Sequence, residues 1–187
     1  EDIQQDLVSA TNPEGKTTIN DLEMAGILLA WLILEQTNIN MKYRTLGLFS
    51  DNTSAVTWTS KHNSSTSSKA GHLLRALGMR QHASKSAPLL ISHIEGAKNL
   101  MADTASRTYT NKSNIPFIVH FNQQFPLQNN SWKEFHLGKN LLSPVISCLR
   151  GMQSDMEWWS KIIPNEKNTG NTGRNTQRIS TQTHTLK

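Results

Sequence analysis

One cysteine in 187 residues, Cys148, excludes an internal disulfide and any cysteine-based zinc site. It stands in an apolar stretch and reads as a buried structural thiol rather than a nucleophile. Long apolar runs are missing too. The longest, Met24 to Leu34, falls well short of the roughly twenty residues a membrane span needs, so it reads as a core helix. No secretory or transit leader is visible, because residues 1–12 are acidic and polar. The chain is therefore expected in the cytoplasm or nucleus, not secreted and with no membrane partner. Asn-x-Ser/Thr triplets such as Asn52-Thr53-Ser54 are then chance matches in an Asn- and Ser-rich chain. The absence of an initiating methionine before Glu1 points to a fragment, and no internal repeat is found.

Hydrophobic residues make up 36% of the chain, enough for a modest core but below the usual globular share. They concentrate between residues 19 and 160. The length suits one ordinary domain plus something smaller. A net charge of +5 and a pI near 9.5 favour an anionic partner.

The first 17 residues read as a loop or strand remnant with a turn at Asn12-Pro13-Glu14-Gly15. A helix follows to about Gln36, with Asn20 as N-cap, Glu23 closing a capping box and Ile19 with Met24 as a hydrophobic staple. Tyr43 to Ser50 reads as a short interior strand ending at Asp51-Asn52. Helices are expected over Thr53–Lys61 and from Lys69 to about Gln81, separated by a polar loop. Leu89 to Ile94 reads as a second strand, and Lys98 to about Ser106 as a helix. Strand, helical crossover and strand imply parallel pairing, with the C-terminal strand ends on one edge, where sites usually form. That placement brings Asp51 to the edge and Asp103 within reach of it. Further on, Ser131-Trp132-Lys133-Glu134 matches a capping box, and Ser143-Pro144 opens a helix that Gly151 closes. From Asn165 onward no apolar period remains.

Three carboxylates on one edge repel one another and desolvate poorly unless a hard cation joins them. Mg²⁺ prefers oxygen ligands and often bridges to substrate phosphates. Two such ions activate a water and stabilise the leaving oxygen of a phosphodiester. Each acid also has a plainer reading. Glu23 fits its capping box, which local evidence prefers. Asp51 with Asn52 suits a cap for the helix at Thr53, and Asp103 suits an ion pair with Arg107 four positions on. His62, His72 and His82 read as surface or packing residues rather than metal ligands.

Three ordered motifs add to this. Residues 19–26, Ile-Asn-Asp-Leu-Glu-Met-Ala-Gly, carry Glu23. Residues 49–58, Phe-Ser-Asp-Asn-Thr-Ser-Ala-Val-Thr-Trp, carry Asp51. Residues 93–107, His-Ile-Glu-Gly-Ala-Lys-Asn-Leu-Met-Ala-Asp-Thr-Ala-Ser-Arg, carry Asp103. In order and spacing they resemble the ribonuclease H domain of retroelement reverse transcriptases, of the gypsy-like or recombinase-bearing type. The resemblance covers about residues 15–107, and residues 117–160 are similar to the segment that follows this domain in some such polyproteins. It implies an α/β, ribonuclease H-like mixed sheet flanked by helices, and Mg²⁺-dependent endonucleolytic hydrolysis of the RNA strand of RNA–DNA hybrids. Glu23, Asp51 and Asp103 would hold a two-metal Mg²⁺ site. Asn52 would help seat the hybrid backbone, and Lys61, Lys69, Arg75 and Arg80 would touch phosphates, although a solvated helix face accounts for these four cations equally well. The upstream reverse transcriptase domain of the same polyprotein would be a partner.

One departure stands out. The family's first catalytic aspartate lies on a first strand followed by two more, and only 22 residues precede Glu23, too few for three strands of about five residues and their turns. Asp2 and Asp6 stand too close to serve. The expectation is a partial domain over residues 1–107 with its first strands missing, a linker over 108–116, a helical appendage over 117–163 and a disordered basic tail over 164–187. Its metal site would be incomplete and its own activity little or none. The competing reading is a non-catalytic, degenerate module that binds or tethers nucleic acid.

Overall fold

A computed structural model describes residues 2–37, 39–110, 116–152 and 156–161. Among these residues, eight α-helices and two strands follow in the order α1 (Asp2–Gln5), α2 (Ile19–Gln36), β1 (Gly47–Ser50), α3 (Thr53–Lys61), α4 (Ser68–Ala83), β2 (Leu90–His93), α5 (Leu100–Thr110), α6 (Phe117–Gln124), α7 (Lys139–Leu149) and α8 (Met156–Ser160). A 3-10 turn, Gly96–Lys98, precedes α5. The architecture is mixed α/β and mostly helical.

The core forms around α2, whose apolar residues occupy most of its faces. Met24, Leu28, Trp31 and Leu32 are buried against Leu73 and Leu77 of α4, Val145 and Cys148 of α7 and Trp159 of α8. Cys148 is thus the buried thiol expected of it. Helices α7 and α8 complete this core, so no break in packing matches the boundary expected between body and appendage. Residues 108–110, expected in the linker, belong to α5. The basic tail expected over 164–187 lies outside the described residues.

β1 and β2 pair in parallel, Gly47 opposite Leu90 and Ser50 opposite His93. Among the described residues the sheet has these two strands only, not the mixed sheet expected. Leu48 and Ile91 pack toward the core, while Phe49 and Leu90 stay exposed on the other face. The strand expected from Tyr43 begins four residues later, because Tyr43 takes a left-handed φ of 58° that no strand accommodates. Its N–H donates to the Lys85 carbonyl at 3.1 Å instead.

Three helix starts differ from expectation. The N-cap of α2 is Thr18, not Asn20: its hydroxyl accepts from the Asp21 N–H, while the Asp21 carboxylate accepts from the Thr18 N–H at 2.9 Å. The capping box is therefore Thr18–Asp21, and Glu23 has no part in it. Residues 131–138 form no helix. Trp132 is held to the end of α6 instead, its N–H donating to Asn122 Oδ1 and its ring N–H to the Phe125 carbonyl. α7 starts at Lys139 and carries Pro144 inside it, since Leu141, Val145, Cys148 and Leu149 all need the face turned to the core. Gly151, at φ 73°, follows its end.

Candidate functional site

Asp51 follows the last residue of β1, at the edge where both strands end. Asn52 caps α3, its Oδ1 accepting from the Ala55 N–H at 2.9 Å. The cap belongs to Asn52, which leaves Asp51 exposed and free of that duty. The Asn52 amide nitrogen donates to Asn20 Oδ1 at 2.8 Å. That bond hooks the start of α3 to the first turn of α2, and Glu23 stands one turn on from Asn20, on the same side of the helix.

Glu23 and Asp51 are brought together in this way. Burial pushes the half-buried Glu23 carboxyl above its ordinary value of 4.5, and the Asp51 charge pushes it further in the same direction. Among the described residues neither carboxylate has an ion-pair partner. The segment after β2 closes on the same edge: a Cβ at Gly96 would stand 3.6 Å from Asp51 Oδ2, so Gly96 leaves that oxygen room for small groups.

Asp103 has a partner of its own. It occupies the first turn of α5, and its Oδ1 accepts from Arg107 Nε at 2.7 Å. This is the i,i+4 pair its spacing suggested. Among the described residues no three His, Cys, Asp or Glu side chains gather as metal ligands would. The structure thus joins two of the three expected acids. Asp6 does not stand in as another, because Lys69 at 2.9 Å and Thr17 at 2.8 Å occupy its Oδ2. Those hydrogen bonds hold the Asp6 carboxyl below its ordinary value, the Lys69 bond most of all.

The expected nucleic-acid contacts also divide. Asn52 is taken up by its cap and by Asn20. Lys61 and Arg75 are exposed, and Arg75 lines a polar groove with His62, His72 and Ser67. Lys69 is turned inward with its side chain 11% exposed. Arg80 is buried, forking onto Glu35 at 2.7 and 3.0 Å and donating to the carbonyls of Trp159 and Lys161. The sequence gives no sign that Asn20 bridges to Asn52 or that Gly96 faces Asp51. Asn20 offers itself locally as a cap, and the glycine within the Asp103 motif is the only signal for Gly96. No helix among the described residues is long and apolar enough to cross a membrane.

No protein-family model, curated protein or solved structure gives a significant match to the chain.

Proposed function

We propose that this chain belongs to a ribonuclease H-like, metal-dependent phosphodiester hydrolase of a retroelement reverse transcriptase polyprotein, acting on the RNA strand of RNA–DNA hybrids. The observation that carries this reading is the Asn52–Asn20 bond, which ties the strand end bearing Asp51 to the helix turn bearing Glu23, where burial and the Asp51 charge raise the Glu23 carboxyl above its ordinary value. A half-buried carboxylate beside a like charge is what a bound divalent cation relieves. The donor set fits Mg²⁺, which is commonly held by one or two carboxylates and keeps several waters. When bound, the ion supplies activation of water and stabilisation of a leaving phosphodiester oxygen. The chain's own residues do the rest. Glu23 and Asp51 would hold the ion, and the Asn20–Asn52 bridge fixes the two elements that carry them. Asp103, released from Arg107, would supply a third carboxylate.

The ribonuclease H fold is part of the same proposal, supported by the order of acid-bearing helix, strand ending at Asp51, parallel second strand and Asp103 helix. Hybrid recognition would rest on helix shape and 2′-hydroxyls, with Lys61 and Arg75 as exposed phosphate contacts and an upstream reverse transcriptase domain as partner. The non-catalytic module remains a second reading, favoured by the Asp103–Arg107 ion pair.

Mn²⁺, a paramagnetic substitute for Mg²⁺, tests the site through the loss of its free resonance signal on titration with the chain. Binding is expected in the wild type and largely lost in both Glu23→Gln and Asp51→Asn. Binding that survives both substitutions refutes the metal assignment. With two carboxylates meeting, the chain alone is expected to cleave a labelled RNA–DNA hybrid slightly or not at all in Mg²⁺. Vigorous cleavage would overturn the view of the site as incomplete.

A further inference from the structure

At the end of the sheet opposite the acid pair, a cavity of about 580 Å³ opens between the residues before β1 and the last turn of α4. Tyr43, Gln81, His82, Lys85, Ser86 and Ala87 line it. Four observations set it apart. Tyr43 is 79% exposed, an uncommon position for an aromatic ring with no structural duty. The Lys42 ammonium stands 5.1 Å from its ring centroid. Tyr43 and Lys85 both hold left-handed φ values, 58° and 53°, and are bonded to each other through backbone N–H and carbonyl. Such conformations are unfavourable for bulky residues and cluster where function requires a side chain to be presented. Finally, Gln81 is 8% exposed and its Nε2 is buried without a hydrogen-bond partner, an unsatisfied donor in the cavity wall.

The surrounding charge has one sign. The residues lining the cavity include no acid, and the sequence between Gln36 and Ile94 holds only one, Asp51. Asp51 itself stands at the far end of β1. Lys42, Arg44, His82 and Lys85 are all exposed around Tyr43. A flat exposed ring inside a cationic rim matches a ligand that alternates planar bases with phosphates, as single strands do. A base-paired duplex offers no free base face, and an acidic peptide has no use for the ring.

We propose that this groove binds single-stranded nucleic acid, with one base stacked on Tyr43 and the flanking phosphates on Lys42, Arg44 and Lys85. The site is distinct from the acid pair and needs no metal.

Fluorescence anisotropy of a labelled 12-nucleotide oligo(dA) with the full chain, at low salt and in EDTA, tests it apart from the metal reading. Tyr43→Gly is expected to weaken binding about tenfold, the scale of one lost base–aromatic stack, and Tyr43→Phe to bind as wild type does. Glycine accepts the left-handed backbone, so Tyr43→Gly should melt no lower than wild type, which separates lost binding from lost fold. Lys85→Gly is expected to reduce the slope of log affinity against log salt by about 0.7, one single-strand phosphate contact. A 12-mer carrying 5-bromodeoxyuridine should cross-link on irradiation within residues 39–50. Residues 162–187 add four Lys and Arg of their own. If Tyr43→Gly binds as wild type does, if cross-links fall only outside residues 39–50 and 80–87, or if polyglutamate of equal charge competes equally, the proposal is overturned in favour of charge alone.

Discussion

Replacing Arg80 with methionine tests a side chain that donates four hydrogen bonds across three helices. The guanidinium and the Glu35 carboxylate are nearly fully buried, with side chains 4% and 9% exposed. Glu35 accepts two bonds from Arg80 on one oxygen and one from the Trp31 ring N–H, at 3.0 Å, on the other. Arg80 also donates to carbonyls at the end of α8, so one residue joins α2, α4 and α8. Methionine roughly fills the volume but leaves the Glu35 charge buried without a cation. Breaking a buried pair from one side costs about 3–5 kcal/mol. For a chain of this length that is a fall in melting midpoint of about 6–20 °C, and about a fifth or more of the stability of an ordinary domain. Urea unfolding followed by tryptophan fluorescence reads the loss directly, since Trp31 and Trp159 both lie in the core. A second change, Glu35→Gln, removes the stranded charge and still accepts from Trp31. The double variant should recover all but about 2 kcal/mol, the remainder being the two carbonyls left without their donor. A loss below about 1 kcal/mol in Arg80→Met, or a double variant as unstable as the single one, would refute this account of the network.

Glu23→Gln should stabilise the fold at pH 7 and have no such effect at pH 3. The folded carboxyl keeps its proton to higher pH than the unfolded one, so stability falls as pH rises above about 4.5, and glutamine removes that fall. Thermal melts at the two pH values measure it, and a variant less stable than wild type at pH 7 would contradict it. Gly15→Ala should be destabilising by on the order of 1–3 kcal/mol, an overpacking cost. Its Cβ would stand 2.7 Å from the backbone of Leu7 and Val8, atoms that no rotamer change can move. An alanine variant that unfolds at the wild-type urea midpoint would show that this turn is looser than described.

The longer elements were legible because periodicity is a local signal. The apolar run of α2, the Asn52 cap of α3 and the Leu73–Leu77 spacing of α4 each announce a helix without outside help. The parallel pairing of β1 and β2 followed from the crossover between them. Partnerships across sequence distance were not legible. Thr18–Asp21 and Asn20–Glu23 are overlapping capping boxes of equal local merit. Only Ser67, 46 residues from Asp21, distinguishes them by donating to the Asp21 carboxylate. Arg80 looked like one more surface cation until Glu35, 45 residues back, turned out to share its interior site. Ser131 failed as a cap because Trp132 is tied to α6. At the candidate site, spacing placed Asp51 at the strand end correctly. The rotation of Asp103 toward Arg107 is also a local i,i+4 relation, which the sequence offered as one of two open readings.

The Asp21 carboxylate, 2% exposed, accepts from the caps of two different helices, Thr18 of α2 and Ser67 of α4. Helix ends normally fray independently, each opening its first turn without regard to its neighbours. Here neither end can open alone. Unwinding the start of α2 withdraws the acceptor from Ser67, whose hydroxyl oxygen in turn holds the Ala70 amide. Loosening Ser67 likewise leaves a buried carboxylate oxygen bare. The two first turns therefore breathe as a single unit, and their amide protons should exchange with solvent in step.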